Sequence, residues 1–257
     1  MKLDLISDLY IEKYEGDYFK KRKIKPGSDL LIVAGDISDS FDISIKFLNQ
    51  ISKYYKKIFY IEGNHEHMDK YPSLYSIDEI DKKIKENGNK KIIYLGKNNI
   101  LHQNTLFIGV SGWWDYSKIG LTNNYFKNTK IKLTEKEKEE FHINVKKRAQ
   151  DDAIHLCNKI GKYKDNKKIK QIIIISHTSP INVFINKKTA DVRYNSYFET
   201  IKRADKLNYW LFGHTRENII KQDINNVTYV SSPYDPKTKN FTANTIKIEN
   251  FRKTIFN

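Results

Sequence analysis

One cysteine, Cys157, stands in 257 residues. No disulfide framework can form, and no thiolate metal site can be built. Proline (5) and glycine (11) are both scarce, so no Pro- or Gly-rich stretch offers a long flexible linker. Long hydrophobic runs are missing as well. A run such as Ile172 to Ile175 is far short of the roughly 20 residues that span a bilayer. The opening Met1-Lys2-Leu3-Asp4-Leu5-Ile6 is too short and too polar for a secretory leader. These absences point to a soluble, cytoplasmic protein without a membrane partner. No internal repeat is evident.

What is present suits a folded core. Hydrophobic residues make up 39% of the chain and aromatics 13%, which excludes a disordered class. The length fits one α/β domain, residues 1–257, better than two. The net charge is +15, from 46 Lys+Arg against 31 Asp+Glu. A basic field attracts phosphates, so an anionic substrate or a nucleic acid is a natural partner class. The basic residues are scattered, however, and Lys, Ile, Asn and Tyr are abundant together, which reads as compositional bias. No appended basic or aromatic-rich binding module is visible, and nucleic acid is the less favoured partner.

Short apolar stretches repeatedly run into polar clusters. Leu3 to Ile6 leads into Ser7-Asp8, Leu30 to Val33 into Gly35-Asp36, and Ile58 to Ile61 into Gly63-Asn64-His65-Glu66. Ile172 to Ile175 leads into Ser176-His177, and Tyr209 to Phe212 into Gly213-His214. Such continuous apolar runs predict strands buried on both faces. Between them lie helical stripes. One is Phe47, Leu48, Ile51 and Tyr55; another starts at a Thr134/Glu137 capping box and carries Phe141, Val145, Ala149, Ala153, Leu156 and Ile160. A short helix is expected over 197–203, and strands over 105–110, 227–230 and 241–248. Alternating strands and helices predict a mainly parallel sheet, with chemistry at the carboxyl edge.

The residues converging on that edge are Asp8, Asp36, Asn64, His177 and His214. Hard oxygens mixed with imidazoles suit Mn, Fe or Zn, and exclude a calcium cage. A shared aspartate can bridge two ions roughly 3.5–4 Å apart, an arrangement that promotes in-line displacement at phosphorus.

Asp8-Leu9-Tyr10, Gly35-Asp36-Ile37-Ser38-Asp39, Gly63-Asn64-His65-Glu66, Ser176-His177 and Gly213-His214-Thr215-Arg216 occur in an order that resembles the calcineurin-like metallophosphoesterases. A looser match is Trp113-Trp114-Asp115. The resemblance implies a four-layer αββα sandwich of two packed mixed sheets and one or two divalent ions per chain. It implies hydrolysis of a phosphomonoester or small phosphodiester, the substrate being a phosphorylated small molecule or nucleotide, through a metal-activated water. By the same resemblance Asp36 bridges the ions, Asn64, His177 and His214 complete the second site, and Asp8 belongs to the first. His65 is the catalytic acid or a phosphate partner, and Asp39 orients it.

Two positions depart from the pattern. The family has histidine where this chain has Tyr10 and Arg216, and both would serve the first ion. Arg216 is expected to place a fixed cation there beside Asp8, and Tyr10 to hydrogen-bond that carboxylate or a phosphate. A guanidinium can neutralise phosphate but cannot lower the pKa of a bridging water. A weakly active or non-catalytic phosphate-binding protein is therefore one alternative, and a nuclease is another.

Other candidates read as structural. His67 is expected at the cleft rim, His142 and His155 on the surface or flank of the long helix, and His102 has no visible company. Asp115 either lines the pocket or caps a turn. The segment 116–130 is read as a solvated loop in preference to a lid.

Overall fold

The computed structural model describes residues 1–14, 24–117, 126, 131–180, 194–235, 237 and 243–248. The elements in chain order are β1 (Lys2–Ile6), β2 (Leu30–Ala34), α1 (Phe41–Ile51), β3 (Lys57–Ile61), α2 (Ile77–Asn87), β4 (Ile92–Tyr94), β5 (Ile100–His102) and β6 (Thr105–Val110). They continue with α3 (Glu135–Tyr163), β7 (Gln171–Ser176), β8 (Leu207–Phe212), β9 (Ile219–Gln222), β10 (Thr228–Ser231) and β11 (Asn244–Lys247).

The strands form two sheets, ordered β11-β1-β2-β3-β4 and β5-β6-β7-β8-β10-β9. The inner pairs are parallel, and so is the edge strand β4 to β3. The edge strands β11, β5 and β9 are antiparallel to their neighbours. The sheets are thus mixed, as the family resemblance implied, and most of their strand pairs are parallel, as the alternation of strands and helices predicts. Alternation along the second sheet explains the layering. Phe107, Ile173, Ile175, Leu211 and Val230 join the core shared with the first sheet. Their neighbours Leu106, Ile108, Ile172, Ile174, Trp210, Phe212 and Tyr229 face the opposite way and pack with Ala153 and Leu156 of α3. Side chains of α1 and α2, among them Phe41, Ile45, Leu48, Ile80 and Ile84, pack with the first sheet. The order of layers is helix, sheet, sheet, helix, with Phe59 meeting Phe107 across the middle at 5.1 Å between ring centroids.

The helix starts follow from local chemistry. Thr134 and Glu137 form the expected capping box on α3, and Ser76 and Glu79 form a second one on α2. The helix expected over 197–203 is instead two short 3-10 turns, Ser196–Glu199 and Ile201–Arg203. The Asn195 side chain accepts from the Tyr197 N–H, and so short a segment makes too few hydrogen bonds to propagate an α-helix. Tyr55 lies beyond the end of α1, yet it is buried, with its hydroxyl donating to Asp4 Oδ2 at 3.1 Å.

The shared core yields a stability test. Phe107→Ala should leave a cavity between the sheets and lower unfolding stability by about 3–5 kcal/mol in a urea titration. Ile220→Ala, at a side chain that is 81% exposed, should stay within about 0.5 kcal/mol.

Candidate metal centre and its surroundings

Five loops meet where strands of both sheets end. Two of them fold into each other through backbone hydrogen bonds, from Asp8 N to Gly35 O (3.1 Å), Leu9 N to Asp36 O (2.8 Å) and Ile11 N to Ile37 O (2.9 Å). Within the second sheet, at the ends of β7 and β8, Gly213 N donates to His177 O at 2.9 Å. Asp8, Tyr10, Asp36, His214 and Arg216 all have positive φ, between 46° and 66°. Such left-handed residues cost on the order of 1–2 kcal/mol each. The sharp bends turn consecutive side chains back over the sheet edge. Glycine is required where loops touch. A Cβ on Gly63 would lie 2.2 Å from Asp36 Oδ1, and one on Gly35 would lie 2.6 Å from His177 Nδ1.

Asp36, Asn64, His177 and His214 come together. His177 Nδ1 donates to the Ala34 carbonyl at 2.8 Å, which directs Nε2 into the site. That Nε2 lies 3.2 Å from Asn64 Oδ1, 3.2 Å from His214 Nδ1 and 3.3 Å from Asp36 Oδ1. Ligands about 2.1 Å from one ion lie roughly 3.0–3.4 Å from one another. The donor set therefore fits a divalent ion in both spacing and chemistry. Burial alone would raise Asp36, but the imidazoles of His177 and His65 outweigh it and hold that carboxyl well below its usual range. Burial alone would likewise lower His177; Asp36 overrides this and pushes it up to about 9. The cluster is built to attract positive charge.

The remaining oxygens of this edge face a phenol. The Tyr10 hydroxyl lies 2.9 Å from Asp36 Oδ2 and 3.1 Å from Asp8 Oδ1, and it accepts from Arg216 Nε at 3.2 Å. Burial, then the charges of Asp36 and Asp8, push Tyr10 well above its usual pKa, so it stands as a neutral phenol. Asp8 Oδ2 accepts from the Ser7 hydroxyl and from the His214 backbone N–H at 3.0 Å. Arg216 thus reaches the carboxylates through Tyr10. The direct Arg216–Asp8 pairing expected from the sequence is not formed, because the phenol stands between them.

His65 Nδ1 lies 2.6 Å from Asp39 Oδ1, as expected, and its Nε2 is 3.7 Å from Asp36 Oδ2. Burial alone would lower His65, but Asp36 and Asp39 together raise it. The Tyr10 and His65 rings meet edge to face at 4.7 Å.

Several residues that the sequence reading passed over hold this arrangement. The buried Glu66 carboxylate accepts from the backbone N–H groups of Asp36, Ile37, Ser38 and Gly63 and from the Ser44 hydroxyl. It ties the β2 loop to the β3 loop, and its place beside His65 in the motif was the available signal. Trp114 stacks on His214 at 6.0 Å and 26°. Arg148 on α3 bonds Glu62 (3.1 Å) and Asp152 (3.2 Å), and Asp152 accepts from the N–H groups of Gly112 and Trp113. One buried cation thereby braces the loops carrying Asn64 and Trp114. His67 is fully buried, not at a rim: its Nδ1 accepts from Tyr75 N at 2.9 Å and its ring packs on Trp113. His142 is buried too, bonded at 2.6 Å to the Tyr116 hydroxyl. Asp115 caps a turn by accepting from the backbone N–H groups of Ser117 and Ser196. The proposed loop 116–130 lies largely outside the described residues; Phe126 packs on Phe141 at 5.0 Å.

The calcineurin-like phosphoesterase family model matches residues 1–217, and the chain belongs to that family. It is 27% identical over 210 residues to an uncharacterised protein of Acanthamoeba polyphaga mimivirus, covering 72% of this chain and 71% of that one. Its fold is similar to that of a phosphopantetheinyl hydrolase from Mycobacterium tuberculosis, with a TM-score of 0.64 and 15% identity over 91% of this chain and 89% of that one. It is also similar to a dimetal phosphatase from Danio rerio, with a TM-score of 0.53 and 12% identity over 95% and 91% of the two chains. Family and site together define a metal-dependent phosphoesterase. Among the described residues, no helix is long and apolar enough to cross a membrane.

Two substitutions test the bracing. Arg148→Ala leaves the buried Glu62 and Asp152 without their cation and should lower stability by about 3–5 kcal/mol in chemical denaturation. Gly63→Ala should cost roughly 1–3 kcal/mol and, by displacing Asp36, weaken divalent-ion binding measured by calorimetry.

Proposed function

We propose that the chain hydrolyses a phosphomonoester or a small phosphodiester of a small molecule or nucleotide. Asp36, Asn64, His177 and His214 would hold a divalent ion of the Mn, Fe or Zn type, which such imidazole and oxygen donors suit. The observation that carries the reading is the convergence of three donor atoms, Asn64 Oδ1, His214 Nδ1 and Asp36 Oδ1, at 3.2–3.3 Å around a fourth, His177 Nε2. When bound, the ion supplies Lewis acidity toward a phosphoryl oxygen and lowers the pKa of water.

The protein's own side chains supply the rest. His65, with Nδ1 held by Asp39 and Nε2 turned toward Asp36, delivers a proton to the leaving oxygen or bonds the phosphate. Asp39 fixes the ring, and Arg216, an exposed guanidinium at the mouth of the site, bonds phosphoryl oxygens. Trp114 behind His214 and Glu66 beneath the loops keep the ligands in place, so little reorganisation accompanies the reaction.

The test is an assay of generic aryl phosphomonoesters and phosphodiesters after chelation and reloading with Mn, Fe or Zn. Turnover should vanish on chelation and return with a divalent ion. His177→Ala should lose the ion, read by elemental analysis. His65→Ala should keep it while kcat falls about 10²–10⁴-fold. An absence of turnover under every metal would sink the enzyme reading in favour of a phosphate-binding protein.

A further inference from the structure

We propose that the Tyr10 hydroxyl takes the place of the first metal ion, so that the chain binds one ion and completes its positive charge with the guanidinium of Arg216. The proposal rests on the metal site described above and refines its stoichiometry.

The carboxylates divide the site in two. Asp36 Oδ1 faces His177 Nε2, while Oδ2 faces the phenol at 2.9 Å. Asp8 Oδ1 meets the same phenol oxygen at 3.1 Å. Two carboxylate oxygens aimed at one point would suit a second cation, and here that point carries an O–H. The phenol oxygen is engaged on both sides, its proton directed to the carboxylates and a lone pair accepting from Arg216 Nε at 3.2 Å. Both oxygens of Asp8 are engaged too, Oδ1 by the phenol and Oδ2 by Ser7 and the His214 N–H.

Displacing the tyrosine would undo several contacts. Its ring is buried, edge-on to His65 at 4.7 Å, with Lys13 Nζ 3.8 Å and Arg216 Cζ 4.8 Å from its centroid. A divalent ion entering beside Asp8 would also face the fixed charge of Arg216 at close range. The missing ion and the added cation therefore belong to one substitution. Tyr10 fills the space, and Arg216 restores part of the charge that a phosphate needs. Among the described residues no carboxylate lies within ion-pair distance of Arg216. With only Nε engaged on Tyr10, its two terminal amino groups can take a phosphate oxygen pair.

The experiment is metal stoichiometry by equilibrium dialysis with Mn²⁺ and with Zn²⁺, followed by elemental analysis. One ion per chain is expected for the wild type and for Tyr10→Phe, which adds no ligand. Two are expected for Tyr10→His/Arg216→His. Two ions in the wild type would overturn the proposal while leaving the phosphoesterase site intact. So would a phenolate-to-iron absorption band after loading with Fe³⁺. No ion in the wild type would instead remove the metal site on which the proposal rests. A folded double variant that still binds one ion would show that Tyr10 and Arg216 are not what excludes the other; if that variant fails to fold, the wild-type stoichiometry decides. For the guanidinium, inorganic phosphate is the probe. Arg216→Met should weaken phosphate binding to the ion-loaded protein roughly 10- to 100-fold with the ion count unchanged, and unchanged phosphate affinity would refute that role.

Discussion

A single buried negative charge organises this edge of the molecule. Asp36 has no exposed surface, and an isolated carboxylate in that position would cost several kcal/mol or more. It is tolerated because the surroundings answer it from every direction. His177 and the backbone N–H of His65 sit against Oδ1, and the Tyr10 hydroxyl and His65 Nε2 against Oδ2. Those partners come from three different loops and from both sheets. The demand of one charge for compensation thus becomes a constraint on where four strand ends, those of β1, β2, β3 and β7, can lie.

The backbone bears a corresponding strain. Aspartate and histidine visit the left-handed region more readily than most residues, which accounts for Asp8, Asp36 and His214. Tyrosine and arginine have no such excuse at Tyr10 and Arg216. At Tyr10 the neighbouring loop over-determines the conformation: Tyr10 N is bonded to Asp36 O at 3.2 Å, and Lys13 N closes a turn back to Tyr10 O at 2.9 Å. Glu66 collects the N–H groups of the bent segment 36–38, so the bend leaves those donors satisfied. Strain gathered at one edge and repaid by a buried carboxylate is what a preorganised site requires.

How much of this could be read beforehand depended on the kind of signal. The strand ends were legible because apolar runs stop abruptly at Gly-Asp, Gly-Asn-His and Gly-His, and loops at the carboxyl ends of parallel strands must converge. The capping box at Thr134 located α3 correctly. The same signature at Ser76 was overlooked because the apolar positions behind it, Ile77, Ile80 and Ile84, make a shorter stripe in a polar segment. The antiparallel edge strands β5 and β9 carry too few buried residues to announce themselves. Arg148 and Asp152 gave only the hint of charges four apart inside an apolar helix face. That their partner would be Glu62, 86 residues away, depends on packing that no local pattern encodes. The hydrogen bond of Tyr10 to Asp8 was expected from the sequence, but that the same hydroxyl also reaches Asp36 and accepts from Arg216 depends on packing between loops that no local pattern encodes.

On the one-ion proposal, the same electrostatics accounts for Tyr10 and Arg216 standing where the resemblance to the family implies histidine. In a two-ion site the carboxylates of Asp8 and Asp36 are neutralised by metal; without that metal they would repel each other and pull water into the core. A phenol set between them donates its hydrogen bond without adding charge, and a guanidinium behind it adds one positive charge that needs no ligands and never dissociates. Histidine at either position would do less unless the ion were present, because a neutral imidazole offers no fixed charge and a protonated one is sensitive to pH. On the one-ion proposal, Tyr10 and Arg216 are therefore complementary parts of one replacement. The phenol keeps the carboxylates apart, and the cation lowers the potential that a phosphate must meet. On that proposal both side chains are needed together, because the phenol without the cation, or the cation without the phenol, would leave Asp8, Asp36 and an anionic ligand out of balance.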